Sequence, residues 1–196
     1  MAAMLDEIVA ELMRPPKGAP PIKASTVRRW MRRSEGEARG AVYALLTNAN
    51  VYARVTPPLC FDEVFDWFLE YYAWCLRADP DGEWSHSRWP ASWDMVIWFV
   101  GMWDEERDRS YFERIKEFIA DLYLTGSRRV KQAIVQGCLE HLFEREEIMA
   151  FFQSWKGHPQ LAPAYEQAFL WVLGGGTSPF SRRRGGPAQN GVENQE

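Results

Sequence analysis

Residues 130–172 read VKQAIVQGCLEHLFEREEIMAFFQSWKGHPQLAPAYEQAFLWV, and in all three parts of this stretch apolar and aromatic side chains return at the spacing of one helix face. Helices over about 127–144, 146–155 and 159–173 follow from that spacing. The pattern is one of packing rather than of chemistry, so it decides the fold class before it says anything of function.

Upstream, Tyr111, Phe112, Ile115, Phe118, Ile119 and Leu122 draw a further amphipathic stripe that ends at Gly126, read as a left-handed cap. Residues 93–103, WDMVIWFVGMW, are apolar nearly all round. A helix without a polar face is packed by neighbours on several sides, which places this one at the centre, with Ser92 as its cap. Phe61, Val64, Phe65, Phe68, Leu69, Tyr72 and Leu76 trace one helical face until ADPDG stops it, and DPDGEWSHSRWP reads as a loop. Ser34 and Glu37 fit a capping box opening a helix through Ala38, Val42, Leu45, Leu46 and Ala49, which Pro57 and Pro58 close. STVRRWMRR forms a turn or two of helix. Leu5, Ile8, Val9 and Leu12 mark a first helix over about 3–13, terminated by Pro15 and Pro16 and followed by the linker PPKGAPPIK.

No segment alternates with the two-residue period of a half-buried strand. The expected fold is all-α, a compact irregular bundle of about seven or eight amphipathic helices. Its regions are residues 1–24 (N-terminal helix and Pro-rich linker), 25–173 (a single helical domain) and 174–196, a disordered tail too poor in apolar residues to offset ordering entropy.

A hydrophobic share of 46% is enough for one sizeable core, and ten tryptophans supply more bulk than a minimal core uses. Charge is unevenly divided. Residues 1–40 hold eight Lys/Arg against five Asp/Glu, whereas residues 41–173 hold twelve against twenty. The net −8 of that middle region repels phosphate backbones and attracts basic partners. Cys60, Cys75 and Cys138 are odd in number and form no CxxC pair, as befits reduced thiols. No basic stretch followed by a long apolar core opens the chain, and its most apolar run, residues 95–103, is far short of the roughly 20 residues a membrane span needs. A cytoplasmic protein without membrane association is expected.

Enzyme signatures are missing: GxxxxGK[ST], GxGxxG after a strand and GxSxG do not occur, and no cofactor is expected. His86 lies in the loop, His141 on a helix and His158 in a turn before Pro159, and each reads first as a solvated or capping group. Cys138, His141 and Glu144 share a helix face and would suit a metal-dependent enzyme, but a structural zinc site wants a second pair of ligands, so no metal is assigned. Arg28, Arg29, Arg32 and Arg33 flank Trp30. With Arg182, Arg183 and Arg184 of the tail they offer the alternative of a nucleic-acid-associated regulator, against the acidic balance of the rest.

Asp104, Glu105, Glu106 and Asp108 directly follow the Trp-rich helix, Glu140, Glu144, Glu146 and Glu147 cluster later, and Trp84 and Trp89 stand in the polar loop. Aromatic anchors rimmed by charge of one sign are what a protein-binding surface carries. Trp84, Trp89, Asp104, Glu105, Glu106 and Asp108 are therefore the expected partner-binding residues.

Residues 128–143, RRVKQAIVQGCLEHLF, resemble the second helix of a HEAT-like repeat, which implies HEAT-like helix pairs, although no period of about 40 residues recurs. Residues 40–173 as a whole resemble small, helical, Trp-rich bacterial domains of unknown function, some of them similar to immunity proteins of polymorphic toxin systems. With the acidic middle and the missing catalytic set, that resemblance implies a non-enzymatic protein-binding domain of immunity or antitoxin type that masks a basic partner.

Overall fold

The computed structural model describes residues 2–15 and 17–176. Among the described residues eleven α-helices follow in order: α1 (Ala2–Leu12), α2 (Ala24–Arg33), α3 (Glu37–Thr47), α4 (Ala49–Tyr52), α5 (Phe61–Ala78), α6 (Arg88–Asp104), α7 (Arg109–Thr125), α8 (Arg128–Ile134), α9 (Glu140–Leu142), α10 (Glu146–Phe151) and α11 (Ala162–Leu173). A π-helical turn (Val135–Leu139) joins α8 to α9, and a tighter 3-10 turn (Gln153–Gly157) precedes α11. Among the described residues the only strands are β1 (Ile22–Lys23) and β2 (Val55–Thr56), paired in parallel with Ile22 opposite Val55. The fold is an all-α compact bundle. Part of the tail expected over 174–196 lies outside the described residues.

The helix count exceeds the expected seven or eight because several elements restart at local caps. Asn48, for example, accepts the N–H groups of Asn50 and Val51 with its side chain and so opens the four-residue α4. One core runs through the molecule, from Ile8 of α1 to Ala168 of α11, both fully buried. α1 and α2 pack on α3, α3 on α5, α5 on α6, and α6 on α8 and the π-turn, which α11 covers from the other side. The segment after α1 is strapped down by Arg54. Its guanidinium reaches the carbonyls of Pro20 and Glu11, each at 3.2 Å, and the Glu11 carboxylate.

Three expected caps differ. Ser34 and Glu37 form no capping box: Gly36 precedes α3, and the Glu37 carboxylate turns instead to the loop, where it accepts the Trp84 N–H at 2.7 Å. Gly126 is extended rather than left-handed (φ −77°, ψ 157°), and α8 starts two residues later behind Ser127, whose hydroxyl caps Val130. Ser92 lies inside α6, which begins a turn earlier at Arg88; its Oγ donates to the Trp89 carbonyl at 2.8 Å. The earlier start has an electrostatic cause. Arg88 is 7% exposed, donates to the Leu76 carbonyl at 2.6 Å and to the Asp79 carboxylate at 2.7 Å, and so welds the first turn of α6 to the end of α5.

α6 is central, as its composition predicts, with Met95, Val96 and Phe99 fully buried. It is not covered all round, however. Pro90, Ile97 and Gly101 form an exposed stripe along it, with Asp94 partly open between them. Ile97 is 47% exposed.

Candidate functional site

The uncovered stripe of α6 forms one wall of a cleft of about 370 Å³. Tyr43 and Thr47 of α3, Phe68 and Tyr72 of α5, and Asp94, Ile97 and Trp98 of α6 line it, and His86 closes one end. Each side chain is there for a local reason. Phe68 and Tyr72 are one turn apart on the buried face of α5, Asp94 and Trp98 one turn apart on α6, and Tyr43 and Thr47 one turn apart on α3.

His86 is delivered by the loop between α5 and α6. α5 ends at Asp79 in the left-handed conformation (φ 51°), which Asp tolerates better than most residues. The chain then folds back over α3, where a Cβ on Gly40 would run into the Trp84 carbonyl, so only glycine permits this approach. Burial works to raise the Glu37 carboxyl, but the hydrogen-bond donors of Ser85, Trp84 and Glu83 outweigh it and hold Glu37 below its ordinary value. An ionised Glu37 thus pins the loop from beneath.

Within the cleft the polar groups form a relay. The Tyr72 hydroxyl lies 3.0 Å from that of Tyr43, which donates to Asp94 Oδ2 at 3.2 Å. His86 Nδ1 stands 2.9 Å from the same Oδ2, off the line of a hydrogen bond, and the His86 backbone N–H donates to the Tyr71 hydroxyl at 3.4 Å. Burial first, then the neighbouring carboxylate, drives the Tyr43 hydroxyl far above its ordinary range, and burial does the same to Tyr72. Both phenols stay protonated and serve as donors. Below them Cys75 is fully buried, its thiol pushed up to about 12 by burial.

The walls are rings in mutual contact. Tyr43 meets Phe68 at 5.4 Å between centroids, Phe68 meets Trp98 edge-on at 5.4 Å, Trp98 meets Tyr72 at 5.8 Å, and Tyr72 meets Tyr43 at 5.8 Å. These spacings lie within the range aromatic pairs favour. Phe68 and Tyr72 also meet, at 6.2 Å, so the four rings are packed on one another with one carboxylate at their edge.

The six expected partner-binding residues are not brought together. Trp89 and Asp104 sit at opposite ends of α6, roughly 22 Å apart at the rise of a helix. Trp84 is half-buried with its N–H on Glu37, while Trp89 is 46% exposed. Asp104 is taken by the buried Arg145 at 2.6 Å, Glu105 pairs with Arg107 at 2.9 Å, and Asp108 caps α7 through the Ser110 N–H at 2.8 Å. Glu106, in the left-handed region at φ 53°, stays exposed.

The basic stripe is half neutralised: Arg28 pairs with Glu63 at 2.7 Å and Arg29 with Glu7 at 3.0 Å, leaving Arg32 and Arg33 exposed. Arg182, Arg183 and Arg184 lie outside the described residues. Of the metal-type trio, His141 Nδ1 pairs with Glu144 at 3.0 Å, while Cys138 is fully buried with its thiol far above its ordinary value. Among the described residues no three His, Cys, Asp or Glu side chains are placed to hold a metal. His158 accepts the Gln160 N–H at 3.3 Å and completes a turn.

No protein-family model, no curated protein and no solved structure matches this chain.

The sequence reading passed over Asp94, Tyr43, Tyr72 and Trp98. For Asp94 a signal existed: it is the only charged residue among residues 93–103. A charge placed there needs a partner or a purpose. Tyr43 and Tyr72 carried none, since tyrosine in an apolar stripe is indistinguishable from core.

Proposed function

We propose that the chain is a non-enzymatic protein-binding domain that engages a basic partner through the cleft beside α6. The observation that carries this reading is Asp94. Its carboxylate opens into an aromatic-walled cleft, and among the described residues no Lys or Arg stands within ion-pair reach of it. The exposed Ile97 beside it offers apolar surface where a partner would bury it. The net −8 of residues 41–173 adds a field that speeds association with a basic surface. Masking of a toxin by an immunity protein is one form such engagement takes.

The chemistry favours binding over catalysis. His86 Nδ1 and Asp94 Oδ2 are close but not hydrogen-bonded, and a free nucleophile in reach of them is wanting among the described residues. The Thr47 hydroxyl is spent on the Tyr43 carbonyl at 2.9 Å, and the Cys75 thiol is sealed and protonated.

The test places a photo-crosslinking amino acid at position 97 in the native host, with and without Asp94→Asn. The expected adduct is a protein of net positive charge, and it disappears with Asp94→Asn. Adducts to an acidic protein or to nucleic acid, or adducts indifferent to Asp94→Asn, contradict the proposal.

A further inference from the structure

We infer that the start of α8, the π-turn after it and the exposed Trp89 form a second binding surface, for single-stranded nucleic acid, which shares no lining residue with the cleft beside Ile97. Two hollows, of about 300 and 350 Å³, meet there at Gln132. Arg128 and Lys131 line the first and Arg129 the second. Elsewhere on this acidic chain, arginines such as Arg28, Arg77 and Arg114 stand against carboxylates. Here, among the described residues, none of the three cations forms an ion pair, and Lys131 lies instead over the Tyr123 ring at 5.3 Å. Asp79 also lines the second hollow, but Arg88 already takes its carboxylate at 2.7 Å. The cations are left for an anion from outside.

The net −8 of residues 41–173 opposes a polyanion at long range, yet at 0.1 M salt the field of exposed charges fades within about 10 Å. At contact the local cations decide, and each phosphate they neutralise releases a counterion. Charge alone does not choose the polyanion; the indole does. Trp89 is 46% exposed in the second hollow. It leans on the π-turn at Gly137, where a Cβ would come 3.3 Å from its ring and 2.2 Å from Ser92 Oγ, so glycine is what lets α6 approach so closely. Held this way beside Arg129, the indole is a platform on which a base stacks while its phosphate meets the guanidinium. The acidic side chains of a peptide bring no flat ring to that platform, and the bases of a duplex are stacked on each other instead. Gln132 donates to Gln136 across 3.0 Å, which leaves the Gln132 carbonyl oxygen beside a Gln136 N–H, an acceptor next to a donor as the edge of a base requires.

The experiment is fluorescence anisotropy of a labelled single strand of about 12 nucleotides, titrated with the full chain at several salt concentrations. The expected result is saturable binding whose logarithm falls against that of salt with a slope of about −2, as three phosphate contacts at about 0.7 each give. Lys131→Gln makes the slope shallower by about 0.7. Trp89→Leu weakens binding about tenfold without changing the slope, and Trp89→Phe, which keeps a ring, recovers most of the loss. Arg32→Glu with Arg33→Glu, outside both hollows, leaves the affinity within about twofold.

Binding indifferent to both Lys131→Gln and Trp89→Leu overturns the site. Equal affinity for a duplex of the same length overturns the single-strand assignment, and competition by a polyglutamate peptide as strong as that of the unlabelled strand overturns nucleic acid as the partner. Binding that is lost when Arg182, Arg183 and Arg184 become alanine but survives Lys131→Gln with its slope unchanged places the contact in the tail and contradicts the inference.

Discussion

The Tyr43 hydroxyl donates to Asp94 Oδ2 across 3.2 Å, and through it α3 is hydrogen-bonded to α6 beside the exposed stripe of that helix. Tyr43→Phe removes that donor and leaves the ring stack on Tyr71, whose centroid is 4.5 Å away, intact. The expected cost is about 1 kcal/mol in chemical denaturation, the usual worth of one part-buried hydrogen bond. It also frees a second oxygen of Asp94, so partner affinity changes by a few fold at most. A loss of stability several times larger would mean the hydroxyl relay is structural in the main.

Asp104 and Asp94 sit ten residues apart on the same helix and are predicted to behave oppositely. Asp104 holds Arg145, which is 6% exposed and also bonds Glu147. Asp104→Ala leaves a buried guanidinium short of one partner and costs about 2 kcal/mol. Asp94→Asn, on the half-open cleft, costs under about 1 kcal/mol. Urea melts of the two variants settle the order, and the reverse order would contradict the geometry.

Two glutamates give opposite pH signatures. Glu37 is held below its ordinary value of 4.5, so its contribution is present above that pH and is lost as the pH falls through its lowered folded value. Glu140 is raised above 4.5, first by burial and against the pull of His141; the protein is therefore favoured with Glu140 protonated, and a penalty appears as the pH rises through 4.5 toward the folded value. Glu140→Gln should raise the melting temperature near neutral pH by the equivalent of about 1 kcal/mol, and Glu37→Gln lower it similarly. Both differences shrink at about pH 4. A Glu140→Gln variant that melts lower at neutral pH would show that the charge is wanted there.

Thiol chemistry separates the three cysteines. Cys60 is exposed, whereas Cys75 and Cys138 are buried, with thiols that burial raises. One thiol per chain should react with a disulfide reagent in the folded protein and the other two only on unfolding, since the thiolate is the reactive form. Rapid reaction of Cys75 would mean that the core around α5 opens to solvent.

Much of the bundle is legible in the residues. The stripe from Phe61 to Leu76 and the apolar run of residues 93–103 are strong because burial demands them, and they return as α5 and α6 at the centre. Caps were less legible, because a cap is chosen by competition. Ser34 and Glu37 satisfy the local pattern, but Glu37 has a better use on the Trp84 N–H, a contact 47 residues away. Ser92 loses its cap to Arg88, whose partners Leu76 and Asp79 lie at the end of α5. The cleft was hidden for the same reason: it unites Tyr43, Tyr72, His86 and Asp94 from three helices and a loop, and local spacing carries no record of that meeting. The acidic run at the end of α6 is visible in the sequence, but three of its four carboxylates are engaged, Asp104 and Glu105 in ion pairs and Asp108 in a helix cap.

The most direct measurement is calorimetric titration of the basic partner crosslinked at position 97 into wild type, Asp94→Asn and Asp104→Ala. The account predicts that Asp94→Asn weakens binding at least about tenfold and that Asp104→Ala, folded at the assay temperature, binds as wild type does. Unchanged affinity for Asp94→Asn together with lost affinity for Asp104→Ala would contradict it and move the binding surface to the far end of α6.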